Sequence, residues 1–245
     1  MFISVILTRF SVLGGFLEVK VLATNVDGTL TDPEYKLSLE AIKYVRILEE
    51  KGLPVILVSG NTLCTLKTLQ RYIGCSGALV AENGAVVEYK GKLKILGNGM
   101  EARKALEKLK EKFGSLIVES WTNPYRYVDI ALQRTLEKDK ILDVVLGFSG
   151  LKLLDSGFAY HLLDKNVDKG KGLKVAVQLM GFRLEEVAVV GDSETDIEMF
   201  KVAGLKFAPA NSPQNLKNIA NHVTSKNGGE GFVEATKIIL GEKTG

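Results

Sequence analysis

Three polar clusters in the sequence combine residue types that can bind a phosphate group and a metal ion. The clusters are NVDGT at residues 25–29, SGNT at residues 59–62 and GDSETD at residues 191–196. Each follows a short apolar segment that predicts a buried strand. Because ligands bind at the carboxyl ends of the strands in an open α/β sheet, we expect the three clusters to meet at one edge of a sheet.

The clusters contain the groups that phosphate ester hydrolysis requires. The reaction needs a nucleophile in line with the leaving oxygen, a proton donor for that oxygen, and cations that neutralise the developing charge. Asp27, Asp192 and Asp196 offer the carboxylate oxygens that magnesium prefers as ligands. Backbone N–H groups around Gly28 and Gly60 can approach phosphate oxygens closely, because glycine has no side chain.

Two further side chains can bind the phosphate. The hydroxyl of Ser59 can donate a hydrogen bond, and Lys169, in the segment DKGKGL, supplies a compact positive charge. Lys171 is an alternative source of that charge. Either lysine could also be an ordinary surface residue. The net charge of +3 and the scattered lysines give no indication of a nucleic-acid partner.

The segments around the clusters alternate between strand and helix patterns, which is typical of a parallel sheet covered by helices. The predicted strands of this part are residues 19–24, 55–58, 78–81, 187–190 and 205–208. The predicted helices begin near Leu39, after Ser38 as N-cap, and cover about 63–73, 170–180, 213–220 and 231–240.

Between about residues 85 and 162 the pattern changes to paired strands with interspersed helices. The predicted elements are a hairpin around Gly91, helices at 101–113 and 137–147, and strands at 116–120, 125–132, 151–155 and 158–163. The sequence therefore predicts an α/β protein with a Rossmann-like parallel-sheet core at 1–84 and 163–245. An α+β cap with an antiparallel sheet is predicted as an insertion at 85–162.

Together with Lys169-Gly170, the clusters resemble the four motifs of the haloacid dehalogenase superfamily: DxDGT, Ser/Thr, Lys-Gly and GDxxxD. The motifs span Asn25 to Asp196, and ENGA at 82–85 lies where a cap insertion begins in one subgroup. The insertion between the second and third motifs resembles the α/β cap type. The segments SGNT, AENGA, DSGFAYH and GDSETD resemble the archaeal phosphoglycolate phosphatases.

The resemblance implies Mg2+ as cofactor and a role for each motif residue. Asn211, in PANSP, resembles an asparagine beside the phosphate site, although a turn or N-cap before the next helix also explains it. The implied roles are nucleophile position for Asn25, general acid/base for Asp27, phosphate binding for Ser59, Gly60, Asn61, Lys169 and Asn211, and metal binding for Asn25, Asp27, Asp192 and Asp196.

Asn25 departs from the motif, which has an aspartate at this position. A carboxylate attacks phosphorus and forms an aspartyl-phosphate, whereas a neutral carboxamide is a far poorer nucleophile. The amide can still direct its oxygen at magnesium, so the pocket can remain assembled. The sequence leaves open whether the chain is a disabled form of an active phosphatase or a natural relative that binds without turnover.

Three functions are consistent with these residues. The first is hydrolysis of a small phosphorylated metabolite, and 2-phosphoglycolate is the favoured substrate. Asn25 is expected to impair this activity. The alternatives are a sugar-phosphate phosphatase of the same superfamily and a silent phosphate-binding homologue. Because the core motifs contact only the phosphate, we expect the cap to determine specificity, with Arg126 and His161 as its candidate residues. A solvated strand position for Arg126 and a sheet-end position for His161 are the competing interpretations.

The remaining features predict a cytoplasmic protein. Cys64 and Cys75 are too few for a disulfide framework and are expected to be reduced thiols. Residues 1–17 are mostly apolar, but Arg9 interrupts a run that is too short to span a bilayer. We expect no membrane partner, an optional extension at residues 1–18 and a functional chain that begins near Val19. The relatives' cap type also predicts a homodimer.

Overall fold

A computed structural model describes residues 9–12 and 15–243 of the chain. The predicted N-terminal extension lies partly outside these residues, and its described part is a two-stranded antiparallel sheet. Within the described part of the chain, no helix is long and apolar enough to cross a membrane.

The described chain alternates strands and helices in most of its length. The strands are β1 (Arg9–Val12), β2 (Gly15–Glu18), β3 (Val21–Asn25), β4 (Val55–Val58), β5 (Leu79–Ala81), β6 (Val86–Tyr89), β7 (Lys92–Ile95), β8 (Ile130–Leu132), β9 (Leu151–Asp155), β10 (Tyr160–Asp164), β11 (Val187–Val190), β12 (Leu205–Ala208) and β13 (His222–Val223). The helices are α1 (Leu39–Glu50), α2 (Leu63–Ile73), α3 (Met100–Phe113), α4 (Lys138–Val145), α5 (Lys169–Met180), α6 (Ile197–Val202), α7 (Gln214–Lys217) and α8 (Gly228–Leu240).

The core is an eight-stranded sheet in the order β13-β12-β11-β3-β4-β5-β6-β7. The strands from β13 to β5 are parallel, and β6 and β7 add an antiparallel edge. Leu22 and Leu57 point to the side of α1, α2 and α8. Their neighbours Val21 and Ile56 point to the side of α5 and α6. Since alternate strand residues face opposite sides, the continuous apolar strands fill two separate hydrophobic layers.

A second unit has an antiparallel sheet in the order β8-β10-β9, with α3 and α4 packed against it. Its own hydrophobic core joins Leu109 of α3 and Ile141 of α4 to Ile130 and Leu162 of the sheet. This unit is the predicted α+β cap, and both the α/β fold class and the antiparallel cap sheet are confirmed.

Two details of the cap prediction differ from the structure. The hairpin expected to begin the cap forms β6 and β7; β6 pairs with β5 and β7 pairs with β6, so the hairpin extends the core sheet. The strand predicted at 116–120 is a single bridge between Glu119 and Leu132, and the strand predicted at 125–132 is reduced to β8. Residues 127–129 instead approach the core, where a carboxylate binds their backbone N–H groups. The cap boundary at 85–162 otherwise stays a prediction.

That carboxylate is Glu82, which joins the core to the cap. It follows β5 and is fully buried. Its two oxygens accept hydrogen bonds from the backbone N–H groups of Tyr127 (2.8 Å), Val128 (2.8 Å) and Asp129 (3.2 Å). Burial and the nearby Asp129 charge raise the pKa of Glu82, while the three N–H donors oppose this shift. One core side chain therefore fixes the cap segment beside the site.

We expect Glu82→Ala to destabilise the protein by about 2 kcal/mol or more, because buried backbone N–H groups would lose their acceptor. Urea denaturation followed by circular dichroism measures the change. Glu50→Ala is the control, because Glu50 is exposed on α1 and its loss should change the free energy of unfolding by less than about 0.5 kcal/mol. Equal stability of the two variants would show that the junction contributes nothing.

Candidate active site

The three polar clusters meet at the carboxyl ends of β3, β4 and β11, as predicted. These neighbouring parallel strands end at a cavity of about 270 Å3 between the core and the cap. Asp196 and Asn211 lie just outside the cavity lining. The cavity is lined by these predicted site residues: Asn25, Asp27, Ser59, Gly60, Asn61, Arg126, His161, Lys169 and Asp192.

Asn25 is the last residue of β3 and is 5% exposed. Its Nδ2 donates to the Asp27 carbonyl oxygen at 2.8 Å and to Asp192 Oδ1 at 3.0 Å. Its Oδ1 accepts a hydrogen bond from Lys169 Nζ at 3.2 Å. A lysine ammonium only donates, while the other two partners only accept, so this network allows one orientation of the amide. The amide nitrogen therefore lies between two oxygen acceptors.

Lys169 provides the buried positive charge. Asp168 is the N-cap of α5 and accepts from Lys171 N at 2.7 Å, so the helix begins at Lys169. Lys169 is 4% exposed and donates to Asp196 Oδ1 at 2.7 Å. Lys171, the alternative for this role, contacts Asn166 and Asp168 outside the cavity. The structure therefore favours Lys169 over Lys171.

Asp196 does not line the cavity but binds residues that do. Its Oδ2 accepts from the backbone N–H groups of Asp192 and Ser193, each at 3.0 Å, and from the Ser193 hydroxyl at 3.0 Å. Its Oδ1 binds Lys169, so both oxygens are engaged by protein donors. The side chain of Asp196 thus holds the loop after β11 and the lysine together.

Asp192 faces the cavity edge. Its Oδ1 also accepts from the Thr29 hydroxyl at 2.6 Å, and its Oδ2 accepts from Asn211 Nδ2 at 3.3 Å. Burial and the nearby negative charge of Asp196 raise the pKa of Asp192 to about 6. Gly28 has a φ of 81°, and a Cβ there would lie 2.1 Å from Asp192 Oδ2. Glycine is therefore required beside this carboxylate.

Asp27 and the second cluster form the other wall. Asn61 Nδ2 donates to Asp27 Oδ2 at 2.8 Å and to Ser59 Oγ at 3.1 Å. Ser59 Oγ also accepts from the backbone N–H of Asn61 at 3.0 Å. Loss of solvation raises the pKa of Asp27, and the charge of Lys169 opposes this shift. A raised pKa suits a carboxyl group that donates a proton.

Aromatic side chains form the rim of the cavity. Trp121 and Phe158 of the cap are 78% and 71% exposed, and Tyr35 of the core is 54% exposed. The rings of Tyr35 and Phe158 make an edge contact with centroids 5.7 Å apart. Tyr35 has a φ of 61°, an uncommon conformation for a residue with a side chain. The contact joins core and cap at the mouth of the cavity.

Asp129 is a site residue that was not predicted from the sequence, and it connects both predicted cap residues. Its carboxylate is bound by the Arg126 guanidinium and lies 2.8 Å from His161 Nδ1. A signal was present, because Asp129 is a lone charge in the apolar run YVDIAL. A charged residue in such a run is rarely buried unless it is paired.

The site contains oxygen atoms that could bind a cation. Among the described residues, no cluster of three or more His, Cys, Asp or Glu side chains could hold a metal ion. Asp192 Oδ1 and the Asp27 carbonyl oxygen nevertheless converge on one point, now bound by Asn25 Nδ2. Carboxylate and carbonyl oxygens suit a hard divalent cation. The site fits such an ion if the Asn25 amide rotates and presents its oxygen.

Comparison with known proteins identifies the family. Residues 22–145 and 152–235 match the model of the haloacid dehalogenase-like hydrolases, so the chain belongs to this family. A phosphoglycolate phosphatase of Methanothermobacter thermautotrophicus is 38% identical over 223 residues, covering 91% of this chain and 100% of that protein. A phosphoglycolate phosphatase of Archaeoglobus fulgidus is 38% identical over 222 residues, covering 90% and 96%.

Two solved structures share the fold of this chain. A Thermoplasma acidophilum protein has a TM-score of 0.83 and 26% identity, covering 91% of this chain and 98% of its own. A haloacid dehalogenase-like hydrolase from Bacteroides thetaiotaomicron has a TM-score of 0.76 at 18% identity, covering 90% and 99%. The second likeness concerns the fold alone. The resemblance inferred from the motifs is confirmed.

We expect Asn25→Asp to raise the affinity for Mg2+ by about tenfold or more, because an anionic oxygen would replace the amide nitrogen beside Asp192. Isothermal titration calorimetry measures this affinity without substrate. Asn221→Asp is the matched control, since it adds the same charge at an exposed position away from the cavity. Equal affinities of the Asn25→Asp variant and the unchanged chain would contradict the assignment of this site.

Proposed function

We propose that the chain is a phosphatase scaffold for 2-phosphoglycolate, which it would convert to glycolate and phosphate, and that Asn25 impairs turnover. The observation that carries the proposal is one cavity in which the phosphate-binding clusters adjoin a buried arginine, Arg126. The family membership and the phosphoglycolate phosphatases among its relatives support the same conclusion. A cytoplasmic location and a homodimer stay predictions.

We further propose that Mg2+ is the cofactor. Asp192, the Asp27 carbonyl and the Asn25 amide oxygen would hold the ion, while Asp196 would act through Lys169 and the loop after β11. When bound, the ion would supply positive charge against the phosphate. This arrangement assigns Asp196 an indirect role, whereas the motif resemblance implied a direct ligand.

The side chains of the site would have distinct roles in the reaction. Lys169 and the Ser59 hydroxyl would bind phosphate oxygens, helped by backbone N–H groups around Gly60. Asp27, whose pKa is raised by loss of solvation, would donate a proton to the leaving oxygen of glycolate. Residue 25 occupies the nucleophile position, and the neutral amide of Asn25 cannot form the acyl-phosphate that a carboxylate forms.

Asn25 favours a second candidate function, a silent phosphate-binding homologue. The amide is held by Lys169, Asp27 and Asp192, so the pocket is assembled without a nucleophile. In that case the Asn25→Asp variant would bind phosphate esters but would not hydrolyse them. A sugar-phosphate substrate is the remaining alternative, and its larger ring would require more space beneath the aromatic rim.

We expect Asn25→Asp to hydrolyse 2-phosphoglycolate at least about a hundredfold faster than the unchanged chain, because the substitution supplies a carboxylate nucleophile. Initial rates with excess Mg2+ measure the difference. The protein must be freshly prepared, since deamidation of Asn25 would imitate activity. Equal rates of both forms would contradict the assigned nucleophile position, and failure of the variant to hydrolyse any phosphate ester would favour the silent homologue.

A further inference from the structure

The guanidinium of Arg126 has one nitrogen that no described residue binds. Nε donates to Thr122 Oγ1 at 3.2 Å, and Nη1 donates to the Gly60 carbonyl at 3.0 Å and to Asp129. Nη2 has no hydrogen-bond partner among the described residues. Every fully buried side-chain nitrogen in that part of the chain has a partner, so Nη2 must reach solvent. The Arg126 side chain is only 4% exposed and lines the cavity.

Asp129 fixes the orientation of this guanidinium. Its side chain is fully buried, one oxygen binds Arg126, and the other lies 2.8 Å from His161 Nδ1. Asn83 Nδ2 adds a longer contact of 3.5 Å from the core. Burial alone would raise the pKa of Asp129, but the His161 hydrogen bond and the Arg126 charge outweigh it and lower the pKa. An ionised Asp129 therefore holds Arg126 before any ligand binds.

Arg126 also lies next to the predicted phosphate-binding loop. Its Nη1 binds the carbonyl of Gly60, between Ser59 and Asn61. A guanidinium held there would lie close to the proposed phosphate position, within reach of a second anion attached to the phosphate by a short linkage. In 2-phosphoglycolate a single methylene separates the phosphate ester oxygen from the carboxylate. A guanidinium donates well to carboxylates, and one already held in place loses little conformational entropy on binding.

We propose that Arg126 binds the substrate carboxylate through Nη2, and that Asp129 and His161 are the positioning residues that hold it. The inference rests on the proposed function, since it names how the cap selects a short phosphorylated acid. It also divides the roles of the two predicted cap residues. Arg126 contacts the substrate, whereas His161 acts through Asp129.

A pair of ligands that differ in the carboxylate tests the proposal. 2-Phosphoglycolate and 2-hydroxyethyl phosphate have similar lengths, and a neutral hydroxymethyl group replaces the carboxylate in the second. The ratio of their kcat/KM values is measured in the Asn25→Asp background. This ratio does not depend on the fraction of folded protein, so a partly unfolded variant still gives a valid result. Dissociation constants on the unchanged chain, from calorimetry with Mg2+, provide a readout without turnover.

We expect Arg126→Met to reduce the preference for 2-phosphoglycolate by about 10- to 100-fold, as the loss of a charge-assisted hydrogen bond predicts. Arg126→Lys should restore part of the preference, because it keeps the charge but not the planar fork. The control is Arg134→Met, since Arg134 is a half-exposed cap arginine outside the cavity lining. The Arg134→Met variant should show the same preference for 2-phosphoglycolate as the Asn25→Asp protein, which is the parent of all these variants.

Asp129→Asn tests the positioning role. We expect a smaller preference through a higher KM for 2-phosphoglycolate, with kcat changed less, because the guanidinium would lose its fixed orientation. His161→Phe should act in the same direction and more weakly than Arg126→Met. An unchanged KM in Asp129→Asn would overturn the positioning role.

Two outcomes separate this inference from the proposed function. A parent that prefers 2-phosphoglycolate and retains that preference in Arg126→Met would overturn the inference alone. A parent that does not discriminate between the two ligands would overturn both the inference and the proposed function. Loss of preference in Arg126→Met but not in Arg134→Met would support both.

Discussion

The hydrogen bonds of the Asn25 amide hold the site together. Its nitrogen bridges the Asp27 carbonyl and Asp192, and its oxygen accepts from Lys169. The amide thus connects β3, the loop after β11 and the start of α5. The half-buried Asp192 and the buried Lys169 both hydrogen-bond to this neutral group. The Asn25 nitrogen occupies the same two oxygens, of Asp27 and Asp192, that a cation would need. These hydrogen bonds and the binding of a cation therefore compete.

The cap depends on a second polar network that starts in the core. Glu82 binds three cap backbone N–H groups, and Arg126 returns a hydrogen bond to the Gly60 carbonyl. Buried polar groups are stable only when they are paired, which makes this contact between cap and core specific. Since Asp129 joins Arg126 and His161, cap position and the predicted specificity residues are linked.

Much of this architecture could be predicted from the sequence, because local patterns encode it. Apolar strands followed by NVDGT, SGNT and GDSETD specified where the site would form, and Ser38 marked the start of α1. Partners that lie far apart in sequence were not encoded locally. The hairpin around Gly91 has the same pattern in either sheet, so its pairing with β5 was missed.

At the site, too, the sequence predicted residue types but not how they pair. The motif assigned Asp196 to the metal, but its pairing with Lys169 and two loop N–H groups depends on the folded geometry. Local patterns indicate no partner for Asp129, whereas the fold places His161 of β10 beside it. Residue types therefore predicted which groups are present, whereas hydrogen-bond direction and pairing required the structure.

We assign the nucleophile position to residue 25. Rapid quenching of Asn25→Asp with 2-phosphoglycolate and Mg2+, followed by peptide mass spectrometry, tests this assignment. We expect an acid-stable, hydroxylamine-sensitive phosphoryl group on residue 25 in the variant, and none on Asn25 in the unchanged chain. A phosphoryl group on any other residue, or equal labelling of both forms, would contradict it.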